Sequence, residues 1–244
     1  MQLNRVFEGD CLEALAELPS GSVDLAYLDP PFNTGQMQKA GNGVYDDRWP
    51  TMRDYLGFME PRLREIHRVL KPDGSILLHC DWRTCHHFRL MLDDLFGAER
   101  FVNHLIWHYG LGGSSPRRFA RKHDDILYYA KGEEYYFEAP MVPATSNRMK
   151  GQHKKASDVI AIPSINNMAD ERVGYPTQKP LTLLELLIKA CCPASGIVLD
   201  PFCGSGTTLL AAARCGRNYI GIDSNSEAVR IARRRCDQNA EVMA

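Results

Sequence analysis

Two rhythms of apolar and polar positions alternate along this chain. Residues 23–29, VDLAYLD, form a near-continuous apolar run, as expected of a strand buried on both faces. Comparable short runs recur as RVFEG (5–9), SILLHCD (75–81), GIVLD (196–200) and NYIGID (218–223). Between them the spacing changes to that of helices. In CLEALAELPSG, Leu12, Leu15 and Leu18 share one face, and Pro19 and Gly21 stop the element. Further helices are expected over 51–70, 84–96, 181–192, 208–215 and 225–238, the last carrying Arg233, Arg234 and Arg235. FVNHLIWHY and DDILYYAK predict two more strands, joined by the loop GLGGSSPRRFARKH. The polar, Gly-rich stretch from Thr34 to Pro50 reads as a loop. Residues 139–175 show no period and read as an irregular insertion.

Strands alternating with helices predict an α/β fold with a mostly parallel sheet and helices on both faces. Its ligands should bind beyond the carboxyl ends of the strands. The 244 residues fit a single domain over 1–244, with 139–175 inserted in it.

Composition narrows the class. No apolar run is long enough to span a membrane, and MQLNRVFEGD lacks the basic-then-apolar pattern of a signal peptide, so a cytoplasmic protein is expected. The eight cysteines include no C-x-x-C pair and are expected to be reduced. The densest group, HCDWRTCHH at 79–87, lacks a second matching pair, and no metal site is expected there. The net charge of −1 is unevenly spread. The first hundred residues are acidic and residues 101–180 are basic, so a polyanion-binding face should lie in the middle third.

Three apolar strands end in a carboxylate and a turn: VDLAYLD-PP, GIVLD-PFCGSG and YIGID-SNSE. On one edge of a parallel sheet such ends converge, so Asp29, Asp200 and Asp223 should line one crevice. Gly204 and Gly206 let backbone approach a ligand at the start of a helix. Leu209 stands where a dinucleotide fingerprint has its third glycine, and no G-K-[ST] follows. Asp223, about twenty residues on, suits ribose hydroxyls. A nucleoside ligand without a pyrophosphate fits best, with S-adenosylmethionine the obvious candidate.

DPPF, DPFCGSGTT and YPTQKPLTLLELL together resemble the amino-methyltransferases of DNA, which methylate exocyclic nitrogens. The order, catalytic element first and glycine turn late, resembles the β class, whose fold is a circularly permuted Rossmann-like one. The resemblance runs from about Phe7 to Asp223. It implies that Asp200, Pro201, Phe202, Cys203, Gly204, Ser205, Gly206 and Thr207 wrap the methionine part of S-adenosylmethionine. It implies further that Asp223, with Ser224 and Asn225, holds the ribose, and that Asp10 and Cys11 contact the adenine. Thr177 and Lys179 would close the pocket.

The same resemblance gives DPPF its chemistry. An exocyclic amine is a poor nucleophile because its lone pair is delocalised into the ring. Two acceptors on its hydrogens draw the lone pair back: the Asp29 carboxylate and the Pro30 carbonyl, stiffened by Pro31. Phe32, where the family more often has Tyr, can stack on a flipped base. A leading Asp is commoner in adenine-N6 enzymes and a leading Ser in cytosine-N4 enzymes, so adenine N6 is favoured. Cytosine N4, RNA as substrate, and a catalytically idle DNA-binding protein stay open. There is no Pro-Cys nucleophile of the carbon-5 type.

Double-stranded DNA is the expected partner. Arg117, Arg118, Arg121 and Lys122, in a loop with several glycines and serines, suit phosphate contacts, as do Arg148, Lys150, Lys154 and Lys155. The family places its target-recognition region at roughly 139–175 here. That region is short, which is consistent with a homodimer.

Overall fold

The computed structural model describes residues 2–40, 43–110, 114–144, 148, 150–166, 169, 171–175 and 178–243. Twelve strands and six α-helices follow one another among them. The first strand, β1 (Arg5–Glu8), leads to helix α1 (Cys11–Ala16) and strand β2 (Val23–Leu28). All six β2 residues are buried, as their apolar run requires.

The hairpin β3 (Gln36–Ala40) and β4 (Gly43–Asp47) comes next, where the sequence pattern predicts a loop. Its alternation is weak because it lies outside the main sheet, and its two strands pair only with each other. Helix α2 (Met52–Val69) is N-capped by Thr51, whose hydroxyl accepts from the Asp54 N–H. Strand β5 (Leu70–Cys80) begins at the last residue of the expected helix and runs through the expected KPDG turn. Helix α3 (Cys85–Phe96), β6 (Phe101–His108) and β7 (His123–Ala130) lie close to their expected places. The insertion is largely irregular but contains β8 (Met141–Pro143), β9 (His153–Lys155) and β10 (Val159–Ala161). Helix α4 (Leu181–Cys191), β11 (Ile197–Asp200), α5 (Thr207–Arg214), β12 (Asn218–Asp223) and α6 (Ser226–Met243) complete the order.

Eight strands form one sheet in the order β1-β12-β11-β2-β5-β7-β6-β10. All neighbours pair in parallel except β7, which is antiparallel to both β5 and β6. Two apolar cores cover the two faces. One packs α4, α5 and α6 against the sheet, the other α1, α2 and α3. From β11 the chain proceeds to β12 on one side; from β2 it proceeds to β5 on the other. The β11–β2 boundary is therefore a topological switch point, where α/β sheets hold ligands. The cofactor-type half, β11 to β12, follows the catalytic strand in sequence, which is the circular permutation expected from the motif order.

Candidate functional site

At the switch point, the strand ends open into a cleft of about 400 Å³. Asp29, at the end of β2, and Asp200, at the end of β11, both line it, with Asp223 of β12 beside them. The Asp200 carboxyl feels the charge of the other two. Burial pushes Asp200 up to about 7, and Asp29 and Asp223 add to that rise; hydrogen bonds from Thr208 and the Phe202 N–H oppose it. Burial also raises Asp223, against the N–H groups of Asn225 and Gly204. A pocket with this much confined negative charge favours a ligand that carries a positive one.

Asp29 is held at one oxygen and open at the other. Lys179 donates from Nζ to Oδ2 at 2.5 Å, and the ammonium lies 5.3 Å from the centre of the Phe32 ring. Asp29 Oδ1 is buried and has no hydrogen-bond partner among the described residues. Behind the motif, Tyr55 donates to the Pro31 carbonyl at 2.6 Å. The Asn33 and Thr34 N–H groups donate to the buried Asp47 carboxylate at the end of the β3–β4 hairpin, at 2.8 and 3.1 Å. Phe32 packs 5.7 Å from His79, centre to centre. Burial keeps the Tyr27 phenol protonated, and its oxygen lies 2.7 Å from His79 Nδ1. If the phenol donates there, the imidazole proton is on Nε2, facing Asp124 at 3.3 Å.

The glycine turn has the shape expected of a cofactor cradle. Gly204 and Gly206 have φ of +49° and +77°. A Cβ on Gly206 would sit 2.7 Å from that of Ala232 in α6, so no other residue fits without a shift. The Asp223 carboxylate accepts from the Gly204 and Asn225 N–H groups, both at 2.8 Å, and so shapes the turn as well as lining it. Leu209 explains the missing third glycine: the close approach is made on the strand instead, where a Cβ on Gly221 would fall 2.3 Å from Leu209 Cδ1. Pro201, Phe202, Cys203, Ser205, Thr207, Ser224 and Asn225 line the cleft with them. Cys203 is buried in the turn, and burial raises its thiol pKa, which fits a small wall residue better than a nucleophile.

Asp10 and Cys11 also line the cleft, at its other end. Asp10 is committed there. Its Oδ1 accepts from the Leu12 N–H, capping α1, and both oxygens accept from Arg62, at 2.9 and 2.6 Å. Thr177 lies outside the described residues. Lys179 is in the cleft, where its partner is the Asp29 carboxylate.

Sequence patterns miss several residues that hold the site. Arg62 is one, and Asp47 another. A third is Arg235, which in the sequence is only one of three arginines in the final helix. It is buried and donates to the Ser205 carbonyl at 2.7 Å and to the Thr207 hydroxyl at 3.0 Å, clasping the glycine turn from behind. Its partners are 28 and 30 positions away, so no local pattern marks it.

The basic residues fall on the expected surfaces. Arg117 and Arg118 are exposed in the β6–β7 loop, as are Arg148, Lys150, Lys154 and Lys155 in the insertion. Lys122 donates to the Gly110 carbonyl at 2.9 Å and so ties the loop stem, while Arg121 stacks 3.4 Å above the Trp82 ring. Two aromatic rings join this surface unannounced: Phe119 is 97 % exposed and Trp82 46 %.

Comparison with known proteins decides the family. The profile of the DNA methylase family N6_N4_Mtase matches residues 23–234. The chain is 32 % identical over 240 residues to the Type II methyltransferase M.HpaI of Haemophilus parainfluenzae, covering 96 % of this chain and 74 % of that protein.

This chain belongs to the DNA amino-methyltransferases of the β class.

It is also 30 % identical to the DNA adenine methyltransferase YhdJ of Escherichia coli K12, over 95 % of this chain and 82 % of that one. Among solved structures, the PvuII DNA methyltransferase, cytosine-N4-specific, superposes with a TM-score of 0.71 at 19 % identity, over 97 % and 90 % of the two chains. The M1.HpyAVI–SAM complex does so with 0.68 at 23 %, over 95 % and 98 %. This amino-methyltransferase is a site-specific, S-adenosylmethionine-dependent DNA methyltransferase acting on adenine N6 or cytosine N4. The residues present fit the cofactor: a left-handed glycine turn and the carboxylates Asp29, Asp200 and Asp223 line one cleft, whose negative charge suits a sulfonium.

Proposed function

We propose that this enzyme methylates N6 of an adenine flipped out of double-stranded DNA. The observation that carries the reading is the Asp29 carboxylate, fastened at Oδ2 by Lys179 and unpartnered at Oδ1, in the cleft that Phe32 also lines. When bound, S-adenosylmethionine supplies an electrophilic methyl group. Asp29 Oδ1 accepts one hydrogen of the exocyclic amine, and the Pro30 carbonyl accepts the other. The neighbouring Pro31 carbonyl is engaged by Tyr55, which stiffens the segment. Two acceptors in fixed directions localise the nitrogen lone pair toward the methyl. Preorganised polar groups of this kind supply much of the rate enhancement in many enzymes. After transfer, the methylated nitrogen is acidic and releases its proton toward Asp29 or water. Phe32, supported by His79, stacks on the base face.

The leading Asp of DPPF and the likeness to YhdJ support adenine over cytosine. Thr177 and Lys179 close the cleft over the cofactor in this reading, with Asp10 and Cys11 at its adenine end. DNA lies across the β6–β7 loop and the 139–175 region, where β8 and β9 form a small antiparallel hairpin carrying Lys154 and Lys155. A homodimer brings two such short recognition regions to one duplex.

The test is expression in a methylation-deficient host, followed by nucleoside mass spectrometry of its DNA beside an Asp29→Ala control. N6-methyladenine absent from the control is the expected result. N4-methylcytosine would overturn the choice of base, and no modified base from soluble, cofactor-binding protein would overturn DNA as substrate.

A further inference from the structure

Cys85, His104 and Asp125 come from three different elements, yet one donor atom of each lies within 4.8 Å of the other two. His104 Nε2 stands 3.7 Å from Cys85 Sγ and 2.7 Å from Asp125 Oδ1. The same ring nitrogen faces both partners. In a nucleophilic thiol–imidazole–carboxylate relay the two partners occupy opposite nitrogens, so this arrangement is not one. Three donor atoms this close can share one cation once it replaces the hydrogen bond between His104 and Asp125. The sulfur-to-nitrogen distance also suits a tetrahedral ion with bonds of about 2.3 Å to sulfur and about 2.0 Å to nitrogen.

A fourth donor is adjacent. Cys80 is the register partner of Asp125 across β5 and β7 and lies five positions before Cys85. Cys80 and Asp125 are buried, Cys85 is half-buried, and the His104 side chain is 43 % exposed, so the cluster is rooted in the core and reachable from solvent.

We propose that Cys85, His104 and Asp125, with Cys80 as fourth ligand, bind a zinc ion. Sulfur, nitrogen and carboxylate oxygen in one set select a borderline-soft, tetrahedral divalent ion. The site is separate from the catalytic cleft. Along β5, His79 faces Phe32 and pairs with Asp124, while Cys80, on the opposite sheet face, adjoins Asp125. The ion ties the start of α3 to β5 and to the stem of the β6–β7 hairpin, whose loop carries Arg117, Arg118 and Arg121. Sequence spacing could not show it, because only Cys80 and Cys85 lie in the segment 79–87 and the other donors arrive through strand pairing.

The experiment uses the full chain without a polyhistidine tag, purified from zinc-supplemented cells and dialysed before elemental analysis. About one zinc per chain is expected. Cobalt(II) exchanged into the protein should give a sulfur-to-cobalt charge-transfer band that disappears in Cys85→Ser. Even outer-shell changes cost metal sites about 10–100-fold in affinity, so His104→Ala should bind zinc at least about tenfold more weakly in competition with a chelator. Both substituted residues are partly exposed, and circular dichroism checks their folding. Wild-type protein holding no more zinc than His104→Ala overturns the proposal and leaves a hydrogen-bonded cluster only.

Discussion

Lys179 Nζ lies 2.5 Å from Asp29 Oδ2, although 150 positions separate the two residues. The contact joins the loop before α4 to the end of β2 and aims the carboxylate. Lys179→Met should lower the methyl-transfer rate by about 10²-fold, the cost of a misaimed reacting group, and should weaken cofactor binding as well, because the same side chain lines the cleft. Asp29→Ala should remove activity altogether. Single-turnover kinetics with cofactor-binding calorimetry measures both; an unchanged rate in Lys179→Met would separate the clamp from catalysis.

Gly206→Ala should damage the cradle. The residue has φ of +77°, and its new Cβ would press on Ala232 at 2.7 Å. Strain at a left-handed position and overpacking each cost about 1–3 kcal/mol. A fall in melting temperature with weaker cofactor binding is expected, whereas DNA affinity without cofactor should hold.

Asp200 makes a pH-dependent contribution whose sign can be worked out. Its folded-state pKa of about 7 exceeds the ordinary carboxylate value, so the folded protein holds a proton that the unfolded chain has lost. Stability from this group therefore falls as pH rises from about 4 to about 7, and the penalty is complete above that range. Asp200→Asn keeps an acceptor for the Phe202 N–H and removes the titration. The variant's melting temperature should gain on the wild type across that window; parallel curves would refute the assignment.

Phe119 and Arg117 offer a contrast on one loop. An aromatic ring that stacks on a base contributes about 1–3 kcal/mol independently of salt. A phosphate-binding arginine contributes through counterion release. Phe119→Ala should weaken DNA binding with an unchanged salt slope, and Arg117→Ala should reduce that slope by about 1. Fluorescence anisotropy at several salt concentrations distinguishes the two.

Much of this site was legible because its residues sit at strand ends, where an apolar run stops at a charge. Asp29, Asp200 and Asp223 announce themselves in that way. Their supports do not. Asp47 closes a hairpin disguised as a Gly-rich loop, and Arg62 meets Asp10 from 52 positions away. Arg235 resembles any solvated arginine of a terminal helix until its partners are known. Periodicity reports which face an element buries; it carries no information on which distant side chain a buried charge will meet. The 139–175 region resisted for another reason: its strands are three residues each, shorter than any period can register.

The adjacency of β11 and β2 bears on how the chain is synthesised. Until residues 197–200 leave the ribosome, β2 lacks a neighbour on one side and presents an apolar, unpaired edge of the kind that recruits other chains. The glycine turn then waits for Arg235, still later, to clasp it. The nascent polypeptide thus carries Asp29 early but completes the cleft around it only once β11, β12 and α6 have emerged.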